Sequence, residues 1–398
     1  MSIESWTQKG LLLMGTAALL ATVSPVNVRG AENRPGTGEI DKHNWGQVEE
    51  GSRTGEEQLV RQNAPAKQRE GKDGLLAGIR DYLNFSGLIE IEAFRLDGYA
   101  GEKESDLTLS TVELDLHLRP RDWLNGHLLL LWEENNTEPV EVDEAVISLG
   151  NPLKNPLFLN IGKLYVPFGL YATNMIQDPL TLALGESRET AVVAGMEYGG
   201  FSWSIYAFNG DMDKTGEKRA IDNFGASLDY LLEGDMISLE MGIDYINNLA
   251  DSDGLSDALA SRGSDGIYDY APGLGTHLQL SRGPFALFAE YIGVLDRFAV
   301  RELPYQGKGA KPEAWQLEAS YTAQIMERET VFALGYQKTM EAANMGLPSD
   351  RYLTSATIAL TSHLFLALEY VFDEDYREKE GGSGGEANMI TTQLALEF

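Results

Sequence analysis

The sequence contains no cysteine. Disulfides, thiolate metal centres, cysteine nucleophiles and an N-terminal lipid-bearing cysteine are therefore excluded. Histidine is scarce, with His43, His117, His127, His277 and His363 as the whole complement. No HExxH pair and no GxSxG elbow occurs, so no enzyme is expected. His277 and Ser281 share a strand parity but lie about 13 Å apart along an extended chain. Basic residues are also few: 31 Lys and Arg stand against 61 Asp and Glu, for a formal net charge of -30. A surface of that sign repels phosphate backbones, and no nucleic-acid partner is expected. Beyond the N-terminus no run reaches the ~18 consecutive apolar residues of a spanning helix. Neither a cofactor nor a metal is expected, since Asp251-Ser-Asp253 lacks the spacing of a calcium loop.

What is present begins with an export signature. Gly10 to Val23 (GLLLMGTAALLATV) is apolar, follows Lys9 and precedes Ser24-Pro25. That length suits a secretory signal better than a membrane span, so residues 1–30 are expected to be a signal peptide. Residues 31–74 are polar, charged and poor in large apolar side chains. They cannot bury enough surface to offset ordering entropy and read as a flexible periplasmic segment. Leu75 to Phe85 reads as a helical turn leading into the folded part, 75–398.

From Ser86 onward, apolar and polar residues alternate with period two in segments of about ten. Ile237, Leu239, Met241, Ile243 and Tyr245 share one face, and Ser238, Glu240, Gly242 and Asp244 the other. Val112, Leu114, Leu116 and Leu118 oppose Glu113, Asp115, His117 and Arg119 in the same way. Alternate side chains of a strand point to opposite faces, so each segment is a strand with one greasy and one polar side. A soluble sandwich shares that period, and the connections discriminate. Long links at 98–104, 134–139, 165–187, 209–221, 249–273, 297–312, 340–350 and 374–386 alternate with seven tight turns. Such wiring predicts an all-β fold: a transmembrane antiparallel β-barrel of about 16 strands.

Aromatics beside the short turns (Trp123, Tyr198, Phe201, Phe285, Phe365) suit an interfacial girdle. The chain ends on an alternating strand with a terminal Phe398, the kind of ending that barrel-assembly machinery reads. With the apolar face toward lipid, the polar face lines the lumen. The lumen candidates are Glu90, Glu92, Glu113, Asp115, Asp229, Glu240, Asp244, Gln279, Gln316 and Glu318. Carboxylates in such a ring favour cations or polar neutral solutes over anions. Acids on outer loops, such as Asp373 and Asp375, bridge lipopolysaccharide through divalent ions in the alternative reading. Loop 165–187 is too apolar for a water-exposed loop. It either folds inward, with Asp178, Glu186 and Arg188 at a constriction, or packs on the rim or against another subunit. Loop 249–272, small and polar, reads as exposed and mobile.

Four stretches carry a resemblance. They are Val142-Asp-Glu-Ala-Val-Ile147, Ile161-Gly-Lys-Leu-Tyr-Val-Pro-Phe-Gly169, Thr173-Asn-Met-Ile-Gln-Asp-Pro-Leu180 and Gly185-Glu-Ser-Arg-Glu-Thr190. Together they resemble the LbtU-type siderophore porins, sixteen-strand outer-membrane barrels linked to siderophore-borne iron uptake. The resemblance implies passive or facilitated passage of a ferric siderophore or a similar small solute, in the outer membrane. It supplies no ligand residues. A general cation-preferring porin and a non-conducting structural or adhesive barrel remain as alternatives, with a homo-oligomer compatible with each.

Overall fold

A computed structural model describes residues 82–134, 137–151, 154–216, 220–234, 236–263 and 266–398. The expected signal peptide (1–30) and polar segment (31–74) lie outside the described residues. Alternating sequence becomes strand throughout: β1 (Leu83–Asp97), β2 (Lys103–Arg121), β3 (Leu124–Glu133), β4 (Thr137–Asn151), β5 (Asn155–Tyr165), β6 (Arg188–Tyr198), β7 (Phe201–Phe208), β8 (Asn223–Glu233), β9 (Ser238–Ile246), β10 (Gly273–Arg282) and β11 (Phe285–Val294). After a two-stranded excursion, β12 (Pro304–Tyr305) and β13 (Lys308–Gly309), come β14 (Glu313–Ile325), β15 (Arg328–Met340), β16 (Asp350–Ala359), β17 (Leu364–Glu374) and β18 (Glu386–Glu397). Leaving out β12 and β13, each strand pairs antiparallel with its neighbours, and β1 closes on β18. The result is a closed sixteen-strand barrel. Of the helical turn expected over 75–85, residues 75–81 lie outside the described residues, and its end is strand: Leu83 to Phe85 pair with Leu116 to Leu118 of β2, because ladder hydrogen bonds outcompete an isolated turn.

Tight turns join the strands at one end. Gly199 and Gly200 connect β6 to β7 with φ of 61° and 84°, the left-handed pair that a two-residue hairpin requires. The closing seam is tied at the chain end, where Gly87 N donates to Phe398 O at 2.9 Å and Phe398 N to Gly87 O at 3.0 Å.

The outward face is an apolar belt. Ile205, Leu228, Ile243, Leu317, Leu334 and Leu368 are all more than a third exposed and all point away from the lumen. Water would charge about 25 cal/mol for each Å² of such surface, so the belt calls for lipid. Aromatics flank it. Near the tight turns, Phe201 stacks near Tyr230 (4.6 Å between centroids), Phe285 near Tyr321 (5.1 Å) and Phe85 near Phe398 (5.9 Å). At the loop end, Trp315, Tyr336, Tyr352 and Phe372 form a chain with centroids 5.1, 4.9 and 6.1 Å apart. Rings with one wet edge settle where lipid meets water.

The hydrophobic core sits inside the barrel, toward the loop end. Phe168 and Leu184 of the 166–187 loop meet Leu249 and Leu255, Ile292 of β11, and Leu303, each almost wholly buried. The 249–272 loop, expected to be exposed from its small polar residues, instead buries Leu249, Ala250, Leu255, Leu259, Ile267 and Ala271. The inner loop carries the short helix α1 (Leu180–Gly185), and the 249–272 loop carries helix α2 (Asp253–Ser261). Leu255, Ala258 and Leu259 recur at helical spacing and bury one face of α2 in the core.

Candidate functional site

Loop 166–187 leaves β5, enters the barrel and runs along the inner wall before returning to β6. Backbone folded into a lumen must find acceptors for its N–H groups, and here wall carboxylates supply them. Gly169 N donates to Asp244 Oδ2 on β9 at 3.1 Å, and Leu170 N and Tyr171 N donate to Glu290 Oε1 on β11 at 2.7 and 3.1 Å. Asn174 N donates to Glu318 Oε1 on β14 at 2.8 Å, while Thr173 Oγ1 donates to Oε2 at 2.6 Å. Ile176 N and Gln177 N donate to the two oxygens of Glu369 on β17 at 2.6 and 3.0 Å. Leu180 N reaches Gln337 Oε1 on β15 at 3.0 Å, and Thr181 Oγ1 reaches Glu290 Oε2 at 2.5 Å. The loop is thus sewn to the wall from β9 to β17.

This arrangement divides the residues expected to line the lumen. Asp244, Gln316 and Glu318 are buried beneath the loop, with Gln316 Nε2 donating to Ala172 O and Glu290 Oε2, both at 3.3 Å. Asp229 accepts from Ser227 Oγ at 2.5 Å and lies 3.4 Å from His277 Nε2. Glu240 and Gln279 stand opposite each other on β9 and β10. Glu90 is buried against Thr111, and Glu92 accepts from Gln393 Nε2 at 2.9 Å across the β1–β18 seam. Glu113 and Asp115 belong to the other arc, β1 to β4, and accept none of the loop's backbone N–H groups described above. There Glu113 lies in the field of Asp115, Glu133, Asp143 and Glu144.

Asp178, Glu186 and Arg188, the three residues expected at a constriction, lie where the loop meets β1 and β4. Arg188, at the start of β6, bridges Glu141 (3.0 Å) and Asp143 of β4, and Tyr165 OH lies 3.3 Å from both oxygens of Asp143. Burial raises the Glu186 carboxyl, and Asp253, Asp178 and Asp143 push it the same way against Arg188. Asp253 is pushed up to about 6 by burial, with Arg188 opposing. Its backbone N–H donates to Glu186 O at 2.9 Å, tying α2 to the loop. Asp178 is 3% exposed and lies in the field of both Glu90 and Glu186. Carboxylates outnumber the one guanidinium in this cluster, so its local potential is negative.

Glu141, Asp143, Asp253, Glu290, Glu369 and Gln337 were not among the residues expected from sequence. Asp143 owes its place to a bulge: the register of β3 on β4 shifts between Leu129 and Leu130, leaving Asp143 unpaired in the ladder beside Glu144. Glu290 (AEYIG) and Glu369 (ALEYV) do show the alternating signal on their strands. Parity marks them as inward without telling what they hold.

No family model matches the chain. Among solved structures, the barrel is similar to the outer-membrane channel DcaP of Acinetobacter baumannii, at 15% identity and a TM-score of 0.53, covering 79% of this chain and 97% of that one. It is also similar to the anion-selective porin from Comamonas acidovorans (12%, TM-score 0.54, 79% and 99% covered) and to OprB of Pseudomonas putida (10%, TM-score 0.57, 82% and 96% covered). At those identities the likeness is one of fold: the architecture is that of outer-membrane porins and channels. A UPF0422 protein of Legionella pneumophila (strain Philadelphia 1) is 26% identical over 336 residues, and the chain spans 62% of its length. A UPF0422 protein of Coxiella burnetii is 30% identical over 334 residues, which are 79% of this chain and 72% of that protein. The chain belongs to the UPF0422 family.

Proposed function

We propose that the chain is an outer-membrane porin that passes small cationic and neutral solutes by diffusion. One observation carries this reading. The inner loop is hydrogen-bonded to the wall from β9 to β17 through its own backbone, so the passage lies against the acidic arc of β1 to β4. Among the described residues that pair across the constriction, Arg188 is the cation, and Glu141 and Asp143 already engage it. A lining with that balance attracts cations and repels anions, most strongly at low salt. Export by residues 1–30, assembly guided by Phe398, and outer loops that meet lipopolysaccharide belong to the same reading.

Siderophore-borne iron is the second reading, and a specific observation favours it. The four stretches that resemble LbtU-type siderophore porins include Asp143, Glu144, Tyr165, Asp178, Glu186 and Arg188, the residues that meet at the constriction. A ferric chelate suited to this gap is neutral or cationic, because an anionic one meets carboxylates. Swelling of proteoliposomes tests both readings. Amino sugars should enter faster than sugar acids of equal size, and a neutral or cationic ferric chelate should compete if the second reading holds. Absence of swelling with every solute would overturn the porin reading.

A further inference from the structure

At the tight-turn end of the acidic arc, three neighbouring strands direct imidazoles and carboxylates to one point. His117 of β2 and His127 of β3 are direct cross-strand partners, and their rings stack with centroids 4.5 Å apart and planes 6° from parallel. Asp115 lies two residues before His117 and so shares its face. Its Oδ2 is 3.0 Å from His117 Nε2, and its Oδ1 is 3.0 Å from His127 Nε2. On the far side of His127, Nδ1 lies 3.3 Å from Glu144 Oε2 of β4. One donor atom from each of Asp115, His117 and His127 falls within 4.8 Å of the others. All four side chains are between 15% and 20% exposed, set into the wall yet open to the lumen.

Two features go beyond an ordinary polar cluster. Asp115 gives one oxygen to each ring, Oδ2 to His117 Nε2 and Oδ1 to His127 Nε2, both at 3.0 Å. A carboxylate that faces two imidazole nitrogens at once places three donor atoms around one point. Glu144 occupies the opposite nitrogen of the same ring, as carboxylates do in carboxylate–histidine–metal arrangements, where they fix the tautomer and orient the ligand. The charge also fits, since two carboxylates beside two neutral imidazoles balance a divalent ion.

We propose that Asp115, His117 and His127 form a divalent transition-metal site on the lumen wall, with Glu144 orienting His127 and a fourth position open to solutes. Tetrahedral nitrogen and oxygen donors stand about 3.4 Å apart, which small side-chain rotations reach from this arrangement. Mixed imidazole and carboxylate ligation selects the Zn²⁺, Ni²⁺ and Cu²⁺ class over Ca²⁺ and Mg²⁺. No metal motif in the sequence marks this site; the two histidines lie on different strands, and only the register of β2 on β3 brings them together.

The test is Zn²⁺ titration by calorimetry on the refolded full chain in detergent. His117→Ala, His127→Ala and Glu144→Gln are compared with His363→Ala, which alters an exposed turn. The expected result is one Zn²⁺ per chain in wild type and His363→Ala. Affinity should fall more than about 100-fold in either site histidine variant, and about 10-fold in Glu144→Gln. X-ray absorption at the zinc edge on the wild type needs no variant, and so separates lost ligands from lost folding. Two imidazoles in the shell support the site, and an all-oxygen shell overturns it. So would a wild type with no saturable Zn²⁺ binding, or binding that survives both histidine substitutions.

Discussion

Glu369→Ala should free the tip of the inner loop while leaving the barrel closed. Glu369 is 1% exposed and spends both oxygens on the loop backbone, one on Ile176 N at 2.6 Å and one on Gln177 N at 3.0 Å. A hydrogen bond to a charged group is worth about 1.5–3 kcal/mol net. Water refills part of the gap left by the truncation, so the lower end applies: about 3 kcal/mol for the two. At ~1.4 kcal/mol per factor of ten, local opening at these amides should rise about 100-fold. Amide exchange of peptides spanning 166–187, followed by mass spectrometry on the refolded protein, reads this directly. Gln offers one acceptor oxygen in place of two, so Glu369→Gln should show about a tenfold rise. Leu170 and Tyr171, held by Glu290, serve as internal controls and should change little. Unchanged exchange at Ile176 and Gln177 in a folded Glu369→Ala barrel would refute the idea that wall carboxylates hold the loop.

Three other outcomes follow from the same geometry. Arg188→Ala should sharpen cation preference in reversal-potential measurements, and it should destabilise the fold by about 3 kcal/mol because Asp143 is left buried without its partner. Gly162→Ala should destabilise the barrel by more than about 1 kcal/mol, seen as a lower temperature at which it loses its compact gel mobility. Gly162 has φ of 150°, and an added Cβ would lie 1.9 Å from Ala145 O on the neighbouring strand. The third concerns pH. Asp251 in the loop cap is pushed up to about 6 from 3.8 by burial, although Met212 N, Asn223 Nδ2 and Asn248 Nδ2 donate to it. A folded pKa above the unfolded one means that the cap's extra stability is present in full below about pH 4 and fades as pH rises through 6. Protection factors for residues 249–261, corrected for intrinsic exchange, should therefore fall from pH 4 to pH 7. Flat or rising values would contradict this.

Much of the fold was legible because a barrel in lipid imposes one rule on every strand. Ile243 must face lipid and Glu240 must face inward, so period two survives along the whole chain. The alternation of long and short links was equally visible, since hairpins at one end need only two residues, such as Gly199 and Gly200. Parity reports a face but not what covers it. Asp244 and Glu318 carry the same signal as Glu113, yet the first two accept from loop N–H groups and the third faces Asp115, Glu133, Asp143 and Glu144. The apolar run at 180–184 disclosed that loop 165–187 could not stay in water. Its anchors on five other strands depend on contacts up to 193 residues apart in sequence, which no local pattern encodes. Asp143 was hidden by its bulge, and α2 by a stretch whose small residues read as loop despite helical spacing of Leu255 and Leu259.

The most direct test of the central claim is the reversal potential of the refolded protein in a planar bilayer under a KCl gradient. The acidic arc facing a loop pinned to the opposite wall predicts discrete conductance steps and a potential of the sign set by K⁺, weakening as salt rises. A potential set by Cl⁻, or a membrane without steps, would contradict it.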